Sequence, residues 1–201
     1  MGDPEEAADT APPAEAVIRP ATPGDVPAMV QLVTDLATYE RAADQVELTP
    51  ESLEAALFGD QPAVFAHVAE VEGEVAGFAL WFLSFSTWIG RHGIYLEDLY
   101  VRPERRGGGL GKALLAELAR LCVDRGYGRL EWSVLDWNTP AIDFYLAHGA
   151  RPQRDWMVFR LTGEPLRQLG QLGQLGQLGQ LGQRSGPVSG RQAGGRRLRS
   201  R

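Results

Sequence analysis

A mixed sheet flanked by helices is the fold class that the sequence predicts, and three observations predict it. Strand-like and helix-like segments follow one another in the order β-α-α-β-β-β-α-β-α-β, an α/β (α+β) pattern. The apolar run Ile94 to Val101, rich in β-branched and aromatic residues, suits a buried strand and leads into the glycine-rich stretch Arg106 to Gly111. Beyond it Leu110, Leu114, Leu118 and Leu121 recur at helical spacing, with Leu115, Ala119 and Cys122 widening the stripe.

Taken in order, Val17 to Arg19 opens as a strand. Thr22-Pro23-Gly24-Asp25 combines an N-cap, an early proline and a carboxylate three residues on, so a helix follows through Met29, Leu32, Val33 and Leu36. Thr49-Pro50-Glu51 repeats that signal for a short helix ending near Phe58-Gly59. Val64 to Val71 and Val75 to Leu83 are strands around a Glu72-Gly73-Glu74 turn, a hairpin by spacing. After the Ile94 to Val101 strand, the glycine loop and its helix, the sequence predicts a strand over Leu130 to Leu135, a helix over Pro140 to Ala147 and a last strand over Trp156 to Leu161.

Three regions result. Residues 1–15 read as a disordered leader, residues 16–166 as the folded domain, and residues 167–201 as a disordered tail. The leader is acidic and rich in proline and alanine, without the basic start and apolar centre of a secretory signal. In the tail Gln-Leu-Gly occurs five times between Gln168 and Gly182. Glycine at every third place costs a helix about 1 kcal/mol each time, and without imino acids a collagen-like triple helix has no support. No apolar run approaches the length of a membrane span. The single cysteine, Cys122, lies on an apolar stripe and forms neither an internal disulfide nor a cysteine-rich metal site. A soluble cytoplasmic protein without a metal is the expectation.

The net charge of −6 is unevenly spread: beyond Glu164 there are seven arginines and no acidic residue, so the remainder carries −6 − 7 = −13. An acidic globule suits small cationic substrates and is ill-suited to a nucleic-acid backbone; a generic solvated surface is the other reading.

The stretch Arg106-Gly107-Gly108-Gly109-Leu110-Gly111-Lys112 holds the only lysine of the chain. A glycine-rich loop opening a helix presents backbone N–H groups and the positive end of a helix dipole, both favourable to a phosphate. Lys112 is followed by Ala113, so the stretch is not a Walker loop, and it lacks the context of a dinucleotide fingerprint. Arg106-x-x-Gly109-x-Gly111 instead resembles the acyl-CoA pyrophosphate loop of the GNAT acetyltransferase superfamily. Ser86-Thr-Trp-Ile-Gly90, Ile94-Tyr-Leu-Glu-Asp-Leu-Tyr-Val101, Val134-Leu-Asp-Trp-Asn138, Phe144-Tyr145, Val17-Ile-Arg-Pro-Ala-Thr22, Leu36-Ala-Thr-Tyr-Glu40 and Asp44-Gln-Val46 extend the likeness. Together they resemble the spermidine/spermine N-acetyltransferase (diamine acetyltransferase) family, including its thialysine-acetylating branch.

That resemblance implies a mixed, mostly antiparallel GNAT sheet and a dimer. It also implies acetyl transfer from acetyl-CoA, as co-substrate, to a small-molecule amine by direct attack in a ternary complex. An alkylammonium with a pKa near ~10 must first lose its proton, and Glu97 matches the family's glutamate for that task, probed against the alternative of a solvated strand-end carboxylate. Simple alternation puts Glu97 and Asp98 on opposite faces unless a bulge intervenes, as it does in the family. The resemblance gives the backbone of Leu99, Tyr100 and Val101 to the acetyl-pantetheine arm, Arg106 to Lys112 to the pyrophosphate, and Asn138, Thr139, Pro140 and Ala141 to the cofactor as well. Asn138 is equally an ordinary N-cap. Tyr145, seven residues on, matches the general acid that protonates the departing thiolate.

Tyr39, Glu40, Trp88, Glu131, Trp132, Ser133 and Trp156 match positions around the amine, where aromatic faces and carboxylates suit an alkylammonium. One departure matters: Arg151-Pro-Gln-Arg-Asp155 is shorter than the family's acidic loop and puts Arg154 where a carboxylate is expected. A cation there repels a second polyamine nitrogen and favours a shorter or zwitterionic amine. A protein-amine acetyltransferase and a non-catalytic acyl-CoA sensor are the alternatives, the sensor having no need of Glu97 or Tyr145.

Overall fold

Five strands form one sheet in the order β1-β2-β3-β4-β5, so that neighbours in the chain are neighbours in space. They are β1 Ala16–Pro20, β2 Phe65–Val71, β3 Glu74–Ser86, β4 Arg91–Val101 and β5 Leu130–Trp132. The first four pair antiparallel, and β5 runs parallel to β4. A parallel neighbour needs a crossover, supplied by α3, Leu110–Asp124. The computed structural model describes residues 16–183, and no helix among them is long and apolar enough to cross a membrane. The leader expected over residues 1–15 lies outside the described residues.

Local chemistry sets the element boundaries. The β2–β3 hairpin closes on Glu72 and Gly73, both at positive φ (53° and 81°), the two-residue turn whose twist matches antiparallel strands. α2, Pro50–Phe58, starts where the Thr49 hydroxyl accepts from the Ser52 N–H (3.2 Å) and the Ser52 hydroxyl accepts from the Thr49 N–H (3.0 Å). Before α1, Val26–Tyr39, a single 3-10 turn spans Pro23–Asp25. There the Asp25 carboxylate accepts from the Thr22 N–H (2.7 Å) and hydroxyl (2.8 Å) and takes two bonds from the Arg19 guanidinium (2.7 and 2.9 Å). Arg19 also donates to Glu70 (2.8 Å), so this buried corner ties β1, β2 and the start of α1 together.

Each face of the sheet is covered. α1 and α2 lay Val26, Met29, Leu32, Leu53 and Leu57 on Val68, Phe78, Leu80 and Tyr100. On the opposite face Trp81 and His67 are buried, Trp81 Nε1 donates to His67 Nδ1 (3.2 Å), and His67 Nε2 lies 3.8 Å from Glu117 of α3. The leucine stripe of α3 is buried as its spacing predicts.

Opposite the β3 pair Leu80–Trp81 the register of β4 slips: Leu80 faces Asp98 and Trp81 faces Leu96, leaving Glu97 as the extra residue of a β-bulge. Asp98 therefore falls on the face of Leu80, the one covered by α1. On its other side β4 pairs with β5 only from Ile94 to Leu96.

The described residues fall into two compact units, 16–143 and 144–183, and the divide lies within α4, Thr139–Ala147. Two expectations fail in the second unit. Trp156 to Leu161 is not a strand, and Trp156, Met157, Val158 and Phe159 stand exposed. Alternation gives a segment strand propensity, but a strand needs a partner, and the described residues of this unit hold no other strand. Conversely, the repeat expected to be disordered forms α5, Gly163–Gln183. Glutamine and leucine are strong helix formers that offset each glycine, and Arg167 and Gln168 both bond Glu164 in the first turn (3.0 and 3.2 Å). The remainder of the predicted tail, 184–201, lies outside the described residues.

Candidate active site

Where β4 ends, the chain makes a 3-10 turn over Pro103–Arg105 and then the loop Arg106 to Gly109. Gly107 and Gly109 adopt left-handed φ values of 78° and 77°. A Cβ at Gly107 would meet nothing within 4 Å, so conformation and not space requires glycine there. α3 begins directly behind Gly109, its first turn free of acidic residues and, among the described residues, without a side-chain cap. Backbone donors of a 15-residue helix thus face the loop with Lys112 half-buried beside them, which is a donor set that fits a pyrophosphate. Arg106 turns back from this cradle: its Nε donates to the Val101 carbonyl (2.9 Å) and its guanidinium lies over the rings of Tyr100 (5.2 Å) and Tyr39 (5.5 Å).

Between bulge and loop, the edge of β4 that faces away from β3 has no paired strand among the described residues. Leu99, Tyr100 and Val101 stand in register with Ala79, Phe78 and Gly77 on one side, and the main-chain groups that alternate to the other side meet no strand among the described residues. An amide-bearing arm pairs with such an edge as an added strand does.

Three carboxylates gather at the bulge. Glu97 is exposed; Asp98 is half-buried toward α1; Glu40 follows the last residue of α1, its N–H bonded to the Leu36 carbonyl. Burial, then the charges of Glu97 and Glu40, push the Asp98 carboxyl up to about 6, and burial raises Glu40. Among the described residues no Arg, Lys or His pairs with any of the three. Asp98 is the residue that reading the sequence missed. Its signal is a carboxylate one step past a bulge, in register with a core leucine.

The sheet edge supplies the remaining candidates. Glu131 is held by Arg129 (2.6 Å), the Ser133 hydroxyl bonds the Tyr95 hydroxyl (2.8 Å), and Trp132 is half-buried opposite Leu96. Asn138 is buried and caps α4, its Oδ1 accepting from the Ala141 N–H (3.4 Å), with Thr139 and Pro140 as the first helical residues. The same oxygen accepts from the Tyr39 hydroxyl (3.0 Å). Tyr39 thereby joins Arg106 and Asn138, while Glu40 beside it joins Glu97 and Asp98. Trp88 sits in the β3–β4 turn, 86% exposed. Tyr145 and Trp156 belong to the second unit, where Tyr145 is half-buried with its ring edge-on to Phe144 (5.3 Å) and Trp156 is exposed.

Known proteins share this plan. The pattern of the acetyltransferase (GNAT) family fits residues 29–150. Thialysine N-epsilon-acetyltransferase of Bos taurus is 42% identical, over 76% of this chain and 96% of its own. L-ornithine N5-acetyltransferase of Arabidopsis thaliana is 30% identical, over 76% and 86%. Among solved structures, an integron cassette protein from the V. cholerae mobile metagenome superposes with a TM-score of 0.67 at 24% identity, over 79% of this chain and 99% of its own. The glycine cradle, the open strand edge and a family match over more than half the length agree: the chain belongs to the acetyltransferase (GNAT) family and is an acetyl-transferring enzyme.

Proposed function

We propose that the enzyme transfers an acetyl group from acetyl-CoA to a primary amine of a small diamine or a lysine-like amino acid, by direct attack in a ternary complex. The observation that carries this reading is the β4 edge left open among the described residues, running from three carboxylates with no cation paired to them there at one end to the glycine cradle at the other. Relatives that acetylate thialysine and ornithine, by their names, support a short amine that also bears a carboxylate, and Arg154 suits such a zwitterion.

In this reading Gly107 to Lys112 hold the pyrophosphate, the main chain of Leu99 to Val101 aligns the pantetheine arm, and Asn138 to Ala141 line the cofactor. The bound thioester supplies an activated acetyl carbon and a thiolate leaving group. Glu97 and Asp98, with Glu40 beside them, attract the ammonium and accept its proton through water. Main-chain N–H groups of β4 stabilise charge developing on the carbonyl oxygen. Tyr145, on the helix that Asn138 caps, gives a proton to the departing sulfur. The dimer that the family resemblance implies and a cytoplasmic setting complete the proposal.

Turnover with acetyl-CoA across thialysine, ornithine, lysine, short diamines, spermidine and lysine-containing peptides tests it. Small amino acids and diamines should be acetylated fastest, and Tyr145→Phe should lower turnover by about 10²–10⁴ while acetyl-CoA affinity holds. Acetylation of peptides alone would move the reading to protein amines.

A further inference from the structure

Family resemblance assigns Tyr39 to the amine; its surroundings assign it elsewhere. The hydroxyl has one proton, and that proton goes to Asn138 Oδ1 at 3.0 Å, the oxygen that also caps α4. Its ring lies 5.5 Å from the Arg106 guanidinium, so an ammonium seeking the same ring would meet a cation already there. Trp137 packs beside it at 5.9 Å and carries the Arg41 guanidinium at 5.5 Å from its own ring. Tyr39 therefore spans two segments remote from it in sequence, the arginine that opens the glycine loop and the buried cap of α4.

We propose that Tyr39 is a positioning residue for the acetyl-CoA half of the site, a strut whose hydroxyl fixes Asn138 and whose ring seats Arg106. This rests on the function proposed above and places Tyr39 on the other side of the reaction from Glu40, its neighbour in sequence. The physical reason is rigidity. Arg106 is anchored at Nε to Val101 and flanked by Tyr100 and Tyr39, and without the second ring this anchor at the start of the glycine loop loosens, so the loop that follows must be ordered when the cofactor binds. Without the tyrosine, Asn138 Oδ1 keeps the long 3.4 Å bond from the Ala141 N–H as its one bond among the described residues.

The experiment uses the full chain carrying Tyr39→Phe or Tyr39→Leu, with calorimetry of acetyl-CoA and of CoA in the absence of amine, and steady-state KM for each substrate. Tyr39→Phe removes the hydrogen bond and keeps the ring. It should weaken acetyl-CoA binding by about three- to tenfold and leave the amine KM within about twofold. Tyr39→Leu should weaken acetyl-CoA binding further, since the ring under Arg106 is lost as well. In an Asn138→Ala background Tyr39→Phe should change acetyl-CoA binding by less than about twofold, because the partner oxygen is gone. A raised amine KM with unaltered acetyl-CoA affinity would return Tyr39 to the amine side and overturn the proposal. So would an undiminished effect of Tyr39→Phe in the Asn138→Ala background. If Tyr39→Leu fails to fold, the near-isosteric phenylalanine variant and its double-mutant cycle decide alone. Absence of heat when the unsubstituted enzyme meets acetyl-CoA is a different result: it refutes the proposed acetyl transfer before any variant is compared.

Discussion

Two acidic corners of the first unit hold the same side chain in opposite circumstances. At one, Asp25 accepts two bonds from Arg19 and two from Thr22, and those donors hold its carboxyl down to about 2. At the other, Asp98 is half-buried with Glu97 and Glu40 for company, and burial and those charges raise its carboxyl to about 6. Where the chain supplies the counter-charge, the carboxylate is a joint between β1, β2 and α1. Where none comes from the described residues, the site suits a cationic ligand, and the alkylammonium of the proposed amine is one. Folding is thus better served at the Asp25 corner than at the Asp98 corner, as expected if the second exists to bind and react.

The contrast can be broken from either side. Asp25→Ala should cost about 2–3 kcal/mol of stability in urea unfolding, since it leaves Arg19 with only part of its counter-charge and the Thr22 donors unmet; the amine KM should not move. A loss below about 1 kcal/mol would mean that the corner is not a joint. Asp98→Asn should do the reverse. It should lower kcat/KM for the amine by about 10²-fold, leave acetyl-CoA binding intact, and hold or raise stability. A stability loss as large as that of Asp25→Ala would erase the distinction.

How much of this was legible in the sequence follows the range of the interactions. The Thr22–Asp25 turn, the Thr49-Pro50 helix start, the β2–β3 turn, the α3 stripe and the Asn138 cap depend on partners within a few residues, and each is where the pattern puts it. The glycine loop was legible for the same reason, its left-handed φ values and following helix being local properties. Asp98 was not, because its burial depends on a one-residue slip against β3 and on a helix end nearly sixty residues earlier. The contacts of Tyr39 were not legible either, because its partners, 67 and 99 positions away, are set by tertiary packing. Trp156 to Leu161 and the glutamine-leucine-glycine repeat fail in opposite directions. The first has strand propensity without a neighbouring strand, and the second keeps enough helix formers to carry its glycines.

The pH dependence of stability sharpens the contrast without touching activity. Asp25 has a folded pKa below its ordinary value, so its stabilisation is present above about pH 4 and is lost as pH falls toward 2. Asp98 has a folded pKa above its ordinary value, so it favours the folded state below about pH 4, and that advantage disappears as pH rises through 6. Between pH 4 and 7 Asp98 should therefore withdraw about 2–3 kcal/mol from the enzyme. Urea unfolding at intervals across this range, repeated on Asp98→Asn, isolates that contribution as the difference between the two curves. The asparagine variant should gain on the parent as pH rises, with the change centred below 6 if Glu40→Gln is added, because one of the charges that raises Asp98 is then gone. Parallel curves would mean that Asp98 ionises as an ordinary surface carboxylate, and the bulge would then lack the electrostatic cost that sets it apart from the Asp25 corner.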